Sequence, residues 1–220
     1  HPNIAKVLEA EDSGAFVAIQ YIDGPNLEDY IKENGPFGPD RWLQTAEVLA
    51  NTIEYCHSKG IIHKDISPTN IVIGPTGPVL IDFGISYLEN DPKLTSSEEV
   101  VGTFPFMSPE HFGVSRPHQM DYFSLAGTLI YAGSGHYPFN GETKSEWRDS
   151  ILSSRPNFEG LIPAQIELLT PLLYKDYSKR LSLTTFARIV NSNISNALLD
   201  DRTSKEFSAV KSDSERKLVA

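Results

Sequence analysis

Apolar residues recur at helical spacing along several long stretches of the chain. Between residues 40 and 59 they lie three or four positions apart, which predicts one face of an amphipathic helix. The residues that set this spacing are Trp42, Ala46, Leu49, Ile53 and Cys56. Asp40 is a candidate N-cap of this helix and Gly60 a candidate end. Residues 122–132 are almost wholly apolar, which predicts another helix buried on all sides.

The remaining pattern predicts shorter helices and a few small strands. Helices are predicted over residues 27–33, 145–153, 166–174 and 184–199, the first capped by Asn26. Apolar runs between turn residues predict a buried strand over 15–22 and short strands over 61–62, 71–73 and 79–81. Because helices dominate, no large parallel sheet is predicted. Residues 196–220 are predicted to form a polar tail or linker, since few apolar residues follow Asp200.

The composition excludes several classes of function. The formal net charge of −10 argues against a general nucleic-acid binder and against a protein held on an anionic membrane. No apolar run approaches the roughly eighteen residues of a membrane span. Cys56 is the only cysteine, which excludes an intrachain disulfide and a cysteine-based zinc site. We therefore expect a cytoplasmic protein with no membrane segment in this chain.

Three short motifs follow one another and carry the candidate chemistry. They are His63-Lys64-Asp65-Ile66-Ser67-Pro68-Thr69-Asn70, then Asp82-Phe83-Gly84, then Ser108-Pro109-Glu110. An aspartate and an asparagine five residues apart, followed by an apolar strand, a turn and a second aspartate, supply a base and two metal ligands for phosphoryl transfer. The alternative is a turn in which Asp65 and Asn70 only cap backbone groups.

With these motifs the chain resembles the protein kinase family, from about His1 to Asn191. The resemblance implies an α+β, protein-kinase-like fold with a mainly helical large lobe, small strands and an N-terminal lobe that is largely missing. Residues 1–22 would be a remnant of the N-terminal lobe strands and the hinge, and residues 23–195 the C-terminal lobe. The expected reaction transfers a phosphoryl group from ATP with Mg²⁺ to a protein Ser or Thr hydroxyl.

The same resemblance implies roles in catalysis. Asp65 would orient the acceptor hydroxyl and take its proton, while Asn70 and Asp82 would bind Mg²⁺ and the nucleotide phosphates. Thr103 belongs to a segment similar to Gly-Thr-Pro-x-Tyr-Met-Ser-Pro-Glu, and it would bond Asp65 and shape the substrate site.

At the nucleotide, the resemblance implies that Ile19 is the gatekeeper of the adenine pocket. The Gln20 carbonyl and the Ile22 amide would bond the adenine ring, and Val72 would form the floor beneath it. Because the bonds at Gln20 and Ile22 come from the backbone, their side chains carry little information.

Other residues would support the site without touching the reacting atoms. The resemblance implies a buried ion pair between Glu110 and Arg180, and bonds from Asp121 to backbone amides of the Asp65 loop; an ordinary helix N-cap is the simpler role for Asp121. An apolar spine behind the site would contain Val7, His63 and Phe83. The other histidines, His57, His111, His118 and His136, form no metal-binding spacing and are expected to be structural or on the surface.

Two substitutions depart from the family pattern. Lys64 stands where the family usually has an Arg that holds a phosphorylated activation loop. A lysine ammonium group lacks the paired N–H donors with which an arginine makes a bidentate contact to a phosphate. Thr95, Ser96 and Ser97 are therefore either phosphorylation sites or ordinary residues of an exposed loop, and the sequence favours neither interpretation. Ser67 stands where Ser/Thr kinases usually have a Lys that touches the transferred phosphate.

The small lobe supplies the other departure. No Gly-x-Gly-x-x-Gly loop occurs, and no Val-Ala-x-Lys strand precedes residues 16–24, which resemble the hinge. We expect a fragment that alone binds ATP weakly and transfers phosphate slowly or not at all.

Three functions remain open on the sequence. The first is a protein Ser/Thr kinase, whose spacing without insertions favours a bacterial type. The second is a pseudokinase or scaffold that binds without transferring phosphate, suggested by Ser67 and the missing lobe. The third is a kinase-like small-molecule phosphotransferase, although such enzymes usually lack a segment like 103–110.

Overall fold

The computed structural model describes residues 1–11, 16–83, 104–113 and 117–196. Its helices are α1 (Leu27–Asn34), α2 (Pro39–Ser58), α3 (Gln119–Ser134), α4 (Lys144–Ser153), α5 (Pro163–Leu169) and α6 (Leu183–Asn196). Its strands are β1 (Val7–Ala10), β2 (Val17–Ile19), β3 (Ile71–Gly74) and β4 (Gly77–Leu80). β1 pairs with β2 and β3 with β4, both antiparallel. Within the described residues the strands thus form two small hairpins beside a helical body.

Helix α3 forms the centre of the core, as the apolar run over residues 122–132 predicted. Every residue from Met120 to Ser134 is buried. Helix α2 packs against α3 and α6, and the Trp42 indole N–H donates to the Leu129 carbonyl at 2.7 Å. Gly133 permits this close approach, since a Cβ there would lie 2.9 Å from Trp42 Cδ1.

The helix N-termini confirm one predicted cap and correct another. Asn26 caps α1, where its side-chain oxygen accepts the Asp29 N–H at 2.8 Å. Asp40 is not the cap of α2, because the helix begins one residue earlier, at Pro39, with Gly38 as N-cap. Proline suits a first helical position because its φ is already helical and its missing N–H needs no partner there. Asp40 instead lies in the first turn, where a negative charge is favourable.

The predicted strands are partly wrong. Residues 61–62 form no strand, because the Ile61 N–H donates to the Cys56 carbonyl at 3.0 Å and closes the end of α2. The predicted buried strand 15–22 is reduced to β2, and it is not buried: Ile19 remains 43% exposed. Among the described residues β2 pairs only with β1, and none of its three residues is buried. The predicted strand 79–81 is β4, which begins earlier, at Gly77.

The C-terminal helices follow the predicted order with shifted bounds. The helix predicted over 166–174 is α5, which begins at Pro163 and ends at Leu169. A 3-10 turn, Thr170–Leu172, follows because Pro171 cannot continue the backbone hydrogen bonds of the helix. The predicted tail lies outside the described residues except for Asn196, which ends α6. None of the described helices is both long and apolar enough to cross a membrane.

Candidate active site

Asp121, in the first turn of α3, holds the start of the loop that carries Asp65. Its side chain is fully buried, and its carboxylate accepts the backbone N–H of His63 at 2.9 Å and of Lys64 at 2.8 Å. Lys64 has a left-handed backbone, with φ of 69°, which costs roughly 1–2 kcal/mol for a residue with a Cβ. The bonds from Asp121 stabilise this strained residue and so place Asp65 next to it.

Asp65 combines a bonded oxygen with an orphaned one. The Asn70 side-chain N–H₂ donates to Asp65 Oδ2 and to the Asp65 carbonyl, both at 2.9 Å. Asp65 Oδ1 is buried and has no hydrogen-bond partner among the described residues. Burial raises the pKa of this carboxyl group, opposed by His63 and by the Asn70 bond. The alternative of a plain turn therefore accounts for Asn70 but leaves Asp65 Oδ1 without a backbone group to cap.

Asn70 and Asp82 lie at the same end of the β3–β4 hairpin. Asn70 directly precedes β3 and Asp82 follows β4, while the Ile81 N–H donates to the Asn70 carbonyl at 3.0 Å. Because the Asn70 nitrogen is used by Asp65, its oxygen is the end available to a cation. Asp82 is exposed, with a left-handed backbone at φ of 54°. The structure thus brings the two predicted ligands to one edge.

The Asn70 oxygen and the Asp82 carboxylate suit Mg²⁺ that is bound together with substrate phosphates, and they do not suit a metal ion that is held by protein side chains alone. The described residues contain no group of three or more His, Cys, Asp or Glu side chains that could hold a metal ion. Magnesium is commonly bound by one or two carboxylates together with substrate phosphates, and it prefers hard oxygen ligands. The Asn70 amide oxygen and the Asp82 carboxylate match that requirement.

The predicted hinge runs along β3, so it comes close to Val72. The Ile73 N–H donates to the Pro25 carbonyl at 2.9 Å, and Asn26 forms an isolated antiparallel bridge with Val72. Gly24 lies so close that an added Cβ would be 2.2 Å from the Ile73 carbonyl oxygen. Val72 itself is 9% exposed.

Two further hinge residues complete this region. The Ile22 side chain reaches to within 3.0 Å of where a Cβ of Gly74 would be. The Gln20 N–H donates to the Lys6 carbonyl at 2.7 Å, which ties the hinge to the segment before β1. Ile22 and Val72 thus both contact the stretch where the hinge meets the β3–β4 hairpin, whereas Ile19 is largely exposed.

His63 connects the Asp65 loop to Phe83. Its ring lies 4.8 Å from the Phe83 ring, centroid to centroid. Its Nδ1 accepts the Asp65 N–H at 3.3 Å, so Nε2 carries the proton and donates to the Ile81 carbonyl at 3.1 Å. Burial lowers the pKa of His63 and favours this neutral form. Val7, the third predicted member of the spine, is 62% exposed on β1.

Glu110 and Arg180 form a buried bidentate ion pair. The two Arg180 Nη atoms donate to the two carboxylate oxygens at 2.9 and 2.7 Å. The remaining guanidinium N–H groups donate to the carbonyls of Tyr174, Gln119 and Lys175. Burial lowers the pKa of Arg180, opposed by Glu110. This pair anchors the 3-10 turn Pro109–Phe112 to the chain before α6.

The structure describes only part of the predicted substrate segment. Ser67 is fully buried, and its hydroxyl lies 2.9 Å from that of Thr69. Other predicted positions lie outside the described residues, namely Gly84, Thr95, Ser96, Ser97 and Thr103. The described part of this segment begins with the 3-10 turn Phe104–Phe106, whose Phe106 is buried in the core.

Two histidines support the site in ways that the sequence did not reveal. His57 Nε2 lies 2.7 Å from Asp121 Oδ2, and His111 Nε2 lies 2.8 Å from the Lys64 carbonyl oxygen. The sequence predicts a structural or surface role for both histidines, and it gives no indication that either contacts the Asp65 loop. No local signal could have found them, because the bonded partners are 64 and 47 residues apart.

Comparison with known families assigns the chain to the protein kinases. The model of the protein kinase domain matches residues 1–192. The chain therefore belongs to the protein kinase family. Its similarity to curated relatives is to bacterial Ser/Thr protein kinases.

Two curated relatives are much longer than the stretch that matches this chain. It is 36% identical to the Ser/Thr protein kinase AfsK of Streptomyces griseus over 163 residues, covering 71% of this chain and 20% of AfsK. It is 32% identical to PkaA of Streptomyces coelicolor over 197 residues, covering 86% of this chain and 36% of PkaA. The chain thus spans between a fifth and about a third of these relatives.

A solved structure supports the fold. The crystal structure of Rad53 1–466 in complex with AMP-PNP matches with a TM-score of 0.68 at 22% identity, covering 85% of this chain and 50% of that chain. The helical body with small strands is therefore the kinase fold.

Proposed function

We propose that this chain forms the catalytic large lobe of an ATP-dependent protein Ser/Thr kinase. The observation that carries the proposal is the Asp65 carboxylate, which has one oxygen held by Asn70 and the other buried without a partner. A desolvated carboxylate with a raised pKa is a better proton acceptor than one in water. The orphaned Oδ1 is the atom that would accept the hydrogen bond, and then the proton, of the acceptor hydroxyl.

Asn70 and Asp82 would supply the protein ligands for magnesium beside the nucleotide. When bound, Mg²⁺ would neutralise charge on the phosphoryl group in transfer. The Asn70 oxygen and the Asp82 carboxylate would hold it at the edge of the β3–β4 hairpin. Because Asn70 also bonds Asp65, it would set the distance between the metal and the base. Holding these groups in place would account for much of the increase in the rate of phosphoryl transfer.

The nucleotide would lie where the hinge meets β3. The Gln20 carbonyl and the Ile22 amide would bond the adenine, with Val72 beneath it. Rad53, which shares this fold, was solved in complex with AMP-PNP, and this supports the binding of an ATP-like nucleotide.

Exposed strands support the expected N-terminal lobe. β1, β2 and their flanks expose several large apolar side chains, namely Val7, Leu8, Phe16, Ile19 and Tyr21. A two-stranded ribbon is marginal alone and is stabilised when further strands or a helix cover it. Since such a lobe would hold the phosphates, we infer that this chain alone transfers phosphate slowly or not at all. The buried free thiol of Cys56 suits a reducing cytoplasm.

A scaffold without transferase activity is the second candidate. It is favoured by Ser67, which is fully buried and paired with Thr69, so that it brings no positive charge to a transferred phosphate. The retained Asp65, Asn70 and Asp82 favour the enzyme.

Phosphate transfer from radiolabelled ATP with Mg²⁺ tests the proposal. The complete gene product would be compared with its Asp65→Asn form, using a generic basic protein as acceptor. Asp149→Asn is the matched control, since Asp149 is exposed on α4 and lies outside the site. We expect phosphoserine or phosphothreonine from the parent and the control, and a loss of at least about 100-fold in Asp65→Asn.

Two outcomes would favour the alternative. No incorporation by a folded parent across several acceptors would support the scaffold. Equal incorporation by the parent and Asp65→Asn would exclude Asp65 as the base.

A further inference from the structure

His111 joins the 3-10 turn Pro109–Phe112 to the loop that carries Asp65. Its Nδ1 lies 2.9 Å from the Ser108 backbone nitrogen, whose N–H points at it. The Ser108 hydroxyl and carbonyl oxygens also lie near Nδ1, at 3.0 and 3.2 Å, but the backbone N–H can only donate, and the hydroxyl can donate as well. Since Nδ1 acts as the acceptor, Nε2 carries the proton and donates to the Lys64 carbonyl at 2.8 Å.

The bond from His111 acts on the peptide unit that leads into Asp65. The Lys64 carbonyl and the Asp65 N–H belong to one planar unit, so they move together. The Asp65 N–H donates to His63 Nδ1 at 3.3 Å, and His111 holds the opposite end of the unit. Asp121 holds the preceding N–H, that of Lys64, at 2.8 Å. A residue in a left-handed conformation is thus fixed through both its N–H and its C=O.

The other end of this connection is rigid. Glu110, next to His111, is tied by the bidentate pair to Arg180. Ser108 is fully buried. The His111 ring therefore projects from an anchored turn, and it can transmit the position of that turn to the Asp65 loop.

We propose that His111 is a positioning residue for Asp65, which couples the segment 104–113 to the catalytic loop through the Lys64 carbonyl. This inference rests on the proposed kinase function. Its physical basis is geometric: without the Nε2 bond the Lys64–Asp65 peptide can rotate, and the Asp65 carboxylate moves with it. A misplacement of about 1 Å at a reacting group can cost about 100-fold in rate.

A simpler role for His111 is to cap the 3-10 turn. Its bond to the Ser108 N–H is half of a capping box, an arrangement that stabilises the start of a helix. The two roles use different ring nitrogens, so substitutions can separate them. Asn at position 111 can accept the Ser108 N–H, but it is too short to reach the Lys64 carbonyl. Gln carries the same amide one carbon farther from the backbone, about as far out as Nε2, so its N–H₂ can donate to the Lys64 carbonyl.

The test compares His111→Asn with His111→Gln in the complete gene product, with His136→Asn as control because His136 is exposed. We expect His111→Asn to lower kcat about 10- to 100-fold, while KM for ATP and for the acceptor changes less than about 3-fold. His111→Gln should restore kcat to within about 5-fold of the parent, and the control should match the parent. Equal kcat values in His111→Asn and His111→Gln would overturn the proposal in favour of the capping role.

A second readout does not depend on activity. Hydrogen exchange of the Lys64 and Asp65 amides should quicken in His111→Asn and return towards the parent rate in His111→Gln. An inactive parent would count against the proposed function and not against the positioning role, which the exchange rates then decide. Equal exchange rates of these two amides in His111→Asn and His111→Gln would overturn the positioning role. This holds even if one of the two variants has lost stability elsewhere in the fold.

Discussion

The buried Glu110–Arg180 pair gives the sharpest test of how this fold is held together. Glu110→Gln keeps the shape of the side chain but removes its charge, which leaves the Arg180 guanidinium buried and uncompensated. The Arg180 side chain is fully buried and that of Glu110 is 5% exposed, so water cannot replace the lost partner. Breaking a buried pair from one side costs about 3–5 kcal/mol. Small domains have about 5–15 kcal/mol in total, so the loss is a large fraction of the stability.

Urea unfolding followed by tryptophan fluorescence measures this cost. With a slope of about 2 kcal/mol per molar urea, a loss of about 4 kcal/mol lowers the midpoint by about 2 M. The matched control is Lys32→Gln, which removes a pair to Glu28 at 3.1 Å whose Lys32 side chain is 57% exposed. That change should cost only about 0.3–0.5 kcal/mol.

The comparison between the two variants decides the argument. If Glu110→Gln lost no more stability than Lys32→Gln, the reasoning from burial would be refuted. A second variant, Arg180→Lys, keeps the charge but has fewer donors for the carbonyls of Tyr174 and Gln119. It should also be clearly destabilised, which separates the loss of hydrogen bonds from the loss of charge.

Three further predictions follow from other sites. Asp65→Asn should be more stable than the parent at pH 8, because burial raises the pKa of Asp65 and so penalises its charged form; thermal unfolding should show the gain shrinking as the pH falls towards the unfolded pKa of 3.8. Gly24→Ala should lower stability by about 1–3 kcal/mol more than Gly35→Ala, because both have positive φ but only the former would place a Cβ against the Ile73 carbonyl; urea midpoints of the two variants measure the difference. Burial lowers the pKa of Lys175 from 10.5 to about 8. Between these two pH values the unfolded chain binds one more proton at Lys175 than the folded chain does. The parent should therefore gain stability relative to Lys175→Met as the pH rises from 8 to 10.5.

Local pattern was enough for most of the helices and for the order of the site residues. The buried helix α3 and the Asn26 cap could be predicted because spacing of about 3.6 residues and cap chemistry depend on neighbours in sequence. The pairing of Asp65 with Asn70 joins residues only five apart, within one loop. The resemblance to protein kinases then supplied roles that spacing alone could not.

Burial and long-range bonding needed the tertiary structure. The run over residues 15–22 looked like a buried strand, yet no residue of β2 is buried, since an apolar strand is buried only where another layer covers it. The N-cap of α2 is Gly38 and not Asp40, because Pro39 occupies the first helical position.

By itself, the sequence determined which residue types could carry phosphoryl transfer and in which order they occur. Only the tertiary structure decided that Asp65 keeps a buried, unpartnered oxygen and that the residue before it, Lys64, is held through its N–H by Asp121 and through its C=O by His111. Those bonds connect residues 57 and 47 positions apart. They depend on how α3 and the 3-10 turn Pro109–Phe112 pack around the loop. Packing of that kind is a property of the whole chain, and no periodicity along the sequence encodes it.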